Sequence, residues 1–192
     1  VGLVTIGDTV VIEGPGQQGL AATIVAKESG ASNIIVTGRG EADEVRLAMA
    51  KNLGANHTIN IEKEDPIAKV AEVTEGQLAD VVVDVTGNPA GLSLALDLVR
   101  KRGTIIAPGM YGAKTQVPLL ADKLVRKEIS LKGVYSHDAR AVKQAIKIVE
   151  SRKYPLENLV THVFSLEEAN KAMQVAGGEI PGECPIKTVL VP

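Results

Sequence analysis

Thr9-Val10-Val11-Ile12-Glu13-Gly14-Pro15-Gly16-Gln17-Gln18-Gly19-Leu20 sets a short β-branched run directly before three glycines spaced GxGxxG. Ala21, Ala22, Ile24, Val25 and Ala26 follow at helix-compatible spacing. In a strand–turn–helix unit each glycine has a separate task. Gly14 permits the tight turn, Gly16 lets backbone amides approach a diphosphate, and Gly19 lets the helix pack closely on the strand. The helix N-terminus adds free N–H groups and the positive end of its dipole. With 19 glycines in 192 residues the spacing alone is a weak signal; its place between the first strand and first helix of an alternating array gives it weight. Gly14, Pro15, Gly16, Gln17, Gln18 and Gly19 are therefore expected to cradle the diphosphate of a dinucleotide.

Working outward, short Val- and Ile-rich runs recur at Asn33–Thr37, Asp80–Val85, Thr104–Ala107 and Ile129–Tyr135, with a weaker one at His57–Ile61. Segments of helical period separate them, marked by Val45, Ala48 and Met49 and by Ala90, Leu94 and Leu98. Strands alternating with single helices require parallel pairing and right-handed crossovers. The predicted fold is α/β: a doubly wound, six-stranded parallel sheet of order 3-2-1-4-5-6 with a helix at Gln17–Ser29, plus a short C-terminal segment. After Tyr135 the pattern changes. Val142, Ala145, Ile146 and Val149 mark a helix, an extended piece spans Leu159–Phe164, Ser165-Leu166-Glu167-Glu168 reads as a capping box, and a last strand spans Lys187–Val191. The expected division is a connector at residues 1–7, a dinucleotide-binding domain at 8–150 and a returning segment at 151–192. The chain starts at Val1 and enters a strand almost at once, which reads as an excised segment.

Composition narrows the classes. A formal charge of −2 with scattered Lys and Arg argues against a nucleic-acid partner, which requires clustered cations. No run reaches the length of a membrane span and no signal-peptide pattern opens the chain, so no membrane partner is expected. One cysteine, Cys184, excludes an internal disulfide and a Cys-rich zinc site, and a reducing cytoplasmic setting fits. His57, His137 and His162 are far apart in sequence and read as surface or loop residues, and Cys184 as incidental. Glu62, Glu64 and Asp65 read as a solvated turn before a helix with Pro66 in its first turn. No catalytic residue and no metal ligand is expected within this chain.

At the end of the second strand, where an acid usually meets the adenosine ribose of NAD, stand Gly38 and Arg39. The acid is absent there, and the guanidinium of Arg39 suits a 2′-phosphate, which tips the expectation slightly toward NADP.

Several stretches in this order resemble the medium-chain, zinc-type alcohol and polyol dehydrogenase family, with sorbitol and threonine dehydrogenases among the similar members. They are Gly7 to Val11, the glycine turn, Leu47 to Ala55, Ala79 to Gly87, Val99 to Gly109, Val125 to Lys132 and Ile186 to Val191. The resemblance implies that this chain is the NAD(P)-binding part of an oxidoreductase acting on a secondary alcohol, with zinc expected only in a separate catalytic domain, its partner, that lies outside this sequence. It implies Thr86 and Gly87 near the adenosine. Pro108, Gly109 and Met110, with Val134, Tyr135 and Ser136, would border the nicotinamide, and Lys187 would reach the pyrophosphate. It also implies a homodimer through the strand at 129–135, or a tetramer built on it. Alternative readings are a free-standing dinucleotide-sensing module and part of a zinc-free enzyme resembling quinone reductases. By itself this fragment is expected to turn over no alcohol.

Overall fold

The computed structural model describes residues 4–192, so part of the expected connector at 1–7 lies outside the described residues. The chain forms two compact units, divided between Tyr135 and Ser136. The helix Ala139–Ser151 has no buried residue.

The first unit opens with β1 (Thr9–Glu13), α1 (Gln17–Glu28) and β2 (Asn33–Gly38). A 3₁₀ turn at Glu41–Asp43 leads into α2 (Glu44–Asn52), followed by β3 (His57–Asn60) and α3 (Pro66–Val73). Then come β4 (Ala79–Asp84), α4 (Pro89–Leu98), β5 (Val99–Ala107), α5 (Ala121–Lys127) and β6 (Ser130–Gly133). All six strands pair in parallel in the order β3-β2-β1-β4-β5-β6. This is the doubly wound order predicted from the alternating pattern.

Val10, Val11 and Ile12 of the central β1 are fully buried, as expected of a strand covered on both faces. One core layer unites Val11, Ile35, Ile59 and Val82 of the sheet with Leu92, Ala95 and Leu96 of α4. The strand order reverses between β1 and β4, so the loops leaving their C-terminal ends run to opposite sides and leave a crevice there. Two helices start where the sequence chemistry says they should. Asp65 and Asn88 accept the amide hydrogens of Ile67 and Ala90, with Pro66 and Pro89 in the first turns.

The second unit holds α6 (Ala139–Ser151), β7 (Val160–Ser165), α7 (Ala169–Ala176) and β8 (Lys187–Val191). β7 and β8 pair in parallel, and α7 packs on both, burying Ala172 and Val175. The capping box forms, with Ser165 and Glu168 capping one another's backbone amides. Among the described residues no helix is long and apolar enough to cross a membrane.

Candidate functional site

A cleft of about 420 Å³ opens at the crevice between β1, β2 and β4, lined by Gly14, Pro15 and Gly16, by Gly38 and Arg39, and by Thr86, Asn88 and Gly91 at the start of α4. Its rim is the glycine turn. Gly14 has φ of +101°, a conformation that side chains resist, and its amide donates to Thr37 at 3.0 Å, tying the turn to β2. A Cβ on Gly19 would stand 1.8 Å from the Gly14 carbonyl oxygen, so the helix can lie this close to the turn only without a side chain there. Gly16 is the N-cap of α1, with no side-chain cap and no acid in the first turn. The positive end of this helix therefore faces the cleft rim without a competing carboxylate.

The floor of the cleft is acidic. Glu13 ends β1 at 2% exposure, in register with Asp84 of β4, which is fully buried. Asp84 is well supported: its Oδ1 accepts the amide and hydroxyl of Thr86 at 2.9 and 2.6 Å, and its Oδ2 accepts the Tyr111 hydroxyl at 2.6 Å. Glu13 is not so supported, since its buried Oε2 has no hydrogen-bond partner. Burial first, and the neighbouring Asp84 second, push its carboxyl well above the usual range. A neutral acid at this place satisfies the physics, because an ionised carboxylate without partners in the interior is very costly.

The far wall of the cleft is the corner after β2. The Arg39 guanidinium is 71% exposed and held by Glu62 at 2.9 Å. Asp43 turns inward from the 3₁₀ turn; its Oδ2 accepts the Arg39 amide at 2.8 Å and its Oδ1 the Arg46 guanidinium at 2.9 Å. Asn60 fixes the corner, accepting from the Gly40 amide at 3.3 Å and donating to the Gly40 carbonyl at 3.0 Å.

The family profile described as Zinc-binding dehydrogenase matches residues 19–151. The chain belongs to this zinc-binding dehydrogenase family. It is 39% identical over 188 residues to the Probable alcohol dehydrogenase of Mycobacterium tuberculosis, covering 97% of this chain and 51% of that protein. It is 34% identical over 187 residues to the sorbitol dehydrogenase of Halalkalibacterium halodurans, covering 97% and 52%. A solved alcohol dehydrogenase from Thermotoga maritima superposes with a TM-score of 0.87 at 29% identity, covering 97% of this chain and 50% of its own. The chain thus spans about half the length of the curated relatives it matches.

In this chain the turn residues gather with Gly38, Arg39 and Thr86 around one cleft. Gln17, Gln18 and Gly19 form the first turn of α1. Gly87 meets the loop after β5: a Cβ on it would stand 2.8 Å from the Met110 carbonyl oxygen, and one on Gly109 would stand 2.9 Å from the Gly87 nitrogen. Pro108 lies in that same loop. Val134 and Tyr135 follow β6, with the Val134 amide 3.3 Å from the Ala107 carbonyl. Ser136 and Lys187 belong to the second unit, Lys187 as the first residue of β8.

The sequence reading overlooked Glu13, Asp43, Arg46, Asp84 and Tyr111. A glutamate closing an otherwise apolar buried strand was the available signal for the first. The acid absent from the end of β2 reaches the same corner from residue 43, because the 3₁₀ turn doubles the chain back; linear spacing could not reveal this.

The family's zinc finds no fit in these residues. Among the described residues no three His, Cys, Asp or Glu side chains form a metal site, and the chain has one cysteine.

Proposed function

We propose that this chain is the NAD(P)-binding part of a dehydrogenase that oxidises the CH–OH group of a secondary alcohol or polyol. The observation carrying the proposal is the Gly14–Gly19 turn, closed so tightly that a Cβ on Gly19 would lie 1.8 Å from the Gly14 oxygen, beside an uncapped helix N-terminus and an adjacent cleft. The similarity to alcohol and sorbitol dehydrogenases supports the reaction class.

In this reading the amides of Gly16 to Gly19 receive the diphosphate, where N–H groups and helix dipole both favour negative charge. The adenosine occupies the cleft against Thr86 and Gly87. Pro108, Gly109 and Met110, with Val134 and Tyr135, border the nicotinamide through backbone groups. The bound nicotinamide supplies the chemistry by accepting or returning a hydride. The chain's own part is to bind and orient that ring and to exclude water from it. The alcohol-binding and acid–base groups lie outside this chain in this reading, in a separate catalytic domain. β6, at the edge of the sheet, offers the pairing surface for a homodimer. Arg39 has the charge to meet a 2′-phosphate, although it would first have to leave Glu62.

Calorimetric titration with NADH and NADPH tests the reading. Binding of at least one dinucleotide, lost in Gly19→Val, is expected, together with no alcohol-dependent reduction of cofactor by the 192-residue chain alone. Binding of neither dinucleotide, or binding unchanged by Gly19→Val, refutes it.

A further inference from the structure

We propose that Asp43, and not Arg39, sets the coenzyme choice, by accepting the adenosine ribose hydroxyls of NAD(H) at the place where a side chain on residue 38 would otherwise stand. The proposal rests on the dinucleotide reading above and specifies its nucleotide selectivity.

The corner at the end of β2 is crowded in an informative way. A Cβ on Gly38 would stand 3.0 Å from Asp43 Cβ, 3.2 Å from Asp43 Oδ2 and 2.9 Å from Pro15 Cγ. The Asp43 side chain therefore fills the space into which a carboxylate at residue 38 would project. A side chain on residue 38 would crowd the acid that arrives from the 3₁₀ turn. The Asp43 side chain is 14% exposed and lines the same cleft as Gly14, Pro15 and Gly16.

Its oxygens are placed but not exhausted. One accepts the Arg39 amide and the other the Arg46 guanidinium. An ionised carboxylate has about four acceptor sites, so two remain for a vicinal pair of hydroxyls. Position is secured from both sides, since Asn60 is 5% exposed and clamps Gly40, while Arg46 holds the carboxylate at 2.9 Å.

The charges then decide between the cofactors. A 2′-phosphate in this corner would bring a second anion against Asp43. The cation that could offset it, Arg39, is drawn outward by Glu62, and Arg46 is engaged with Asp43 itself. Two neutral hydroxyls meet no such repulsion and can donate to the carboxylate.

Titration of the wild type with NADH and NADPH, and of its adenosine end alone with 5′-AMP and adenosine 2′,5′-bisphosphate, reads the corner directly. NADH is expected to bind at least tenfold more tightly than NADPH, as a charge-assisted contact is worth about ten- to hundredfold. Asp43→Asn should weaken NADH by about tenfold and narrow the gap, whereas Arg39→Ala should leave NADH affinity within about twofold. The wild-type ratio decides the matter even if Asp43→Asn disturbs the turn. Tighter binding of NADPH and of the bisphosphate, abolished by Arg39→Ala, overturns the proposal while leaving the dinucleotide reading intact. Binding of neither dinucleotide overturns both.

Discussion

Replacing Glu13 by glutamine should stabilise the protein, and the gain should grow with pH. Glu13 is 2% exposed, stands in register with the fully buried Asp84, and has an oxygen without a partner. Burial, then Asp84, raise its carboxyl well above the ordinary glutamate value of 4.5. The folded chain consequently keeps a proton that the unfolded chain releases above that value. Where the native state binds one proton more than the unfolded state, stability falls by about 1.4 kcal/mol for each unit of rising pH. The loss begins near the unfolded value and ends at the folded one. Glutamine fills the same volume, is always neutral and carries an NH₂ that can face Asp84, so it lacks this dependence. Urea unfolding followed by circular dichroism at pH 4, 5, 6 and 7 would compare the two proteins. Near pH 4 their stabilities should differ little. Above pH 5 the difference should open in favour of Glu13→Gln at about 1.4 kcal/mol per unit until the folded acid titrates. A difference that stays flat from pH 5 to 7, or that favours the wild type increasingly, would show that Glu13 is ionised in the fold and refute the reasoning.

Tyr111→Phe removes a donor at 2.6 Å from Asp84 Oδ2, and should cost about 1–3 kcal/mol in denaturant unfolding; an unchanged midpoint would show that water replaces the hydroxyl. Gly19→Ala forces a Cβ into the Gly14 carbonyl and should cost about 1–3 kcal/mol while weakening dinucleotide binding, read by thermal melting and titration. Leu131→Lys, on the edge strand β6, should convert the proposed dimer to monomer in sedimentation at micromolar protein, and a wild type that is already monomeric rejects that interface.

Much of the architecture was legible because it depends on local periodicity. The Val- and Ile-rich runs and the intervening helical stripes require a parallel, doubly wound sheet whatever the detailed packing. Even the remote Ser165–Glu168 capping box could be read, since its two hydrogen bonds join residues three apart. Boundaries were less legible. β5 runs from Val99 although only Thr104–Ala107 carries the strand pattern: Val99 pairs with Ala79 and Thr104 with Val81 of β4, and the residues between them are taken up by a register shift.

The sequence alone also determined the glycine turn, since GxGxxG between a strand and a helix imposes its own geometry through backbone that only glycine accommodates. The two acids that give the cleft its character were decided by tertiary structure. The Glu13 carboxyl is pushed well above the usual range because β1 lies at the centre of the sheet, where water cannot solvate a carboxylate, and because Asp84 stands on the adjoining strand. Asp43 occupies the corner after β2 because a 3₁₀ turn, pinned by Asn60 from β3, folds residue 43 back onto Gly38. Both outcomes depend on long-range proximity and on the local dielectric, which emerge only when separate strands come together.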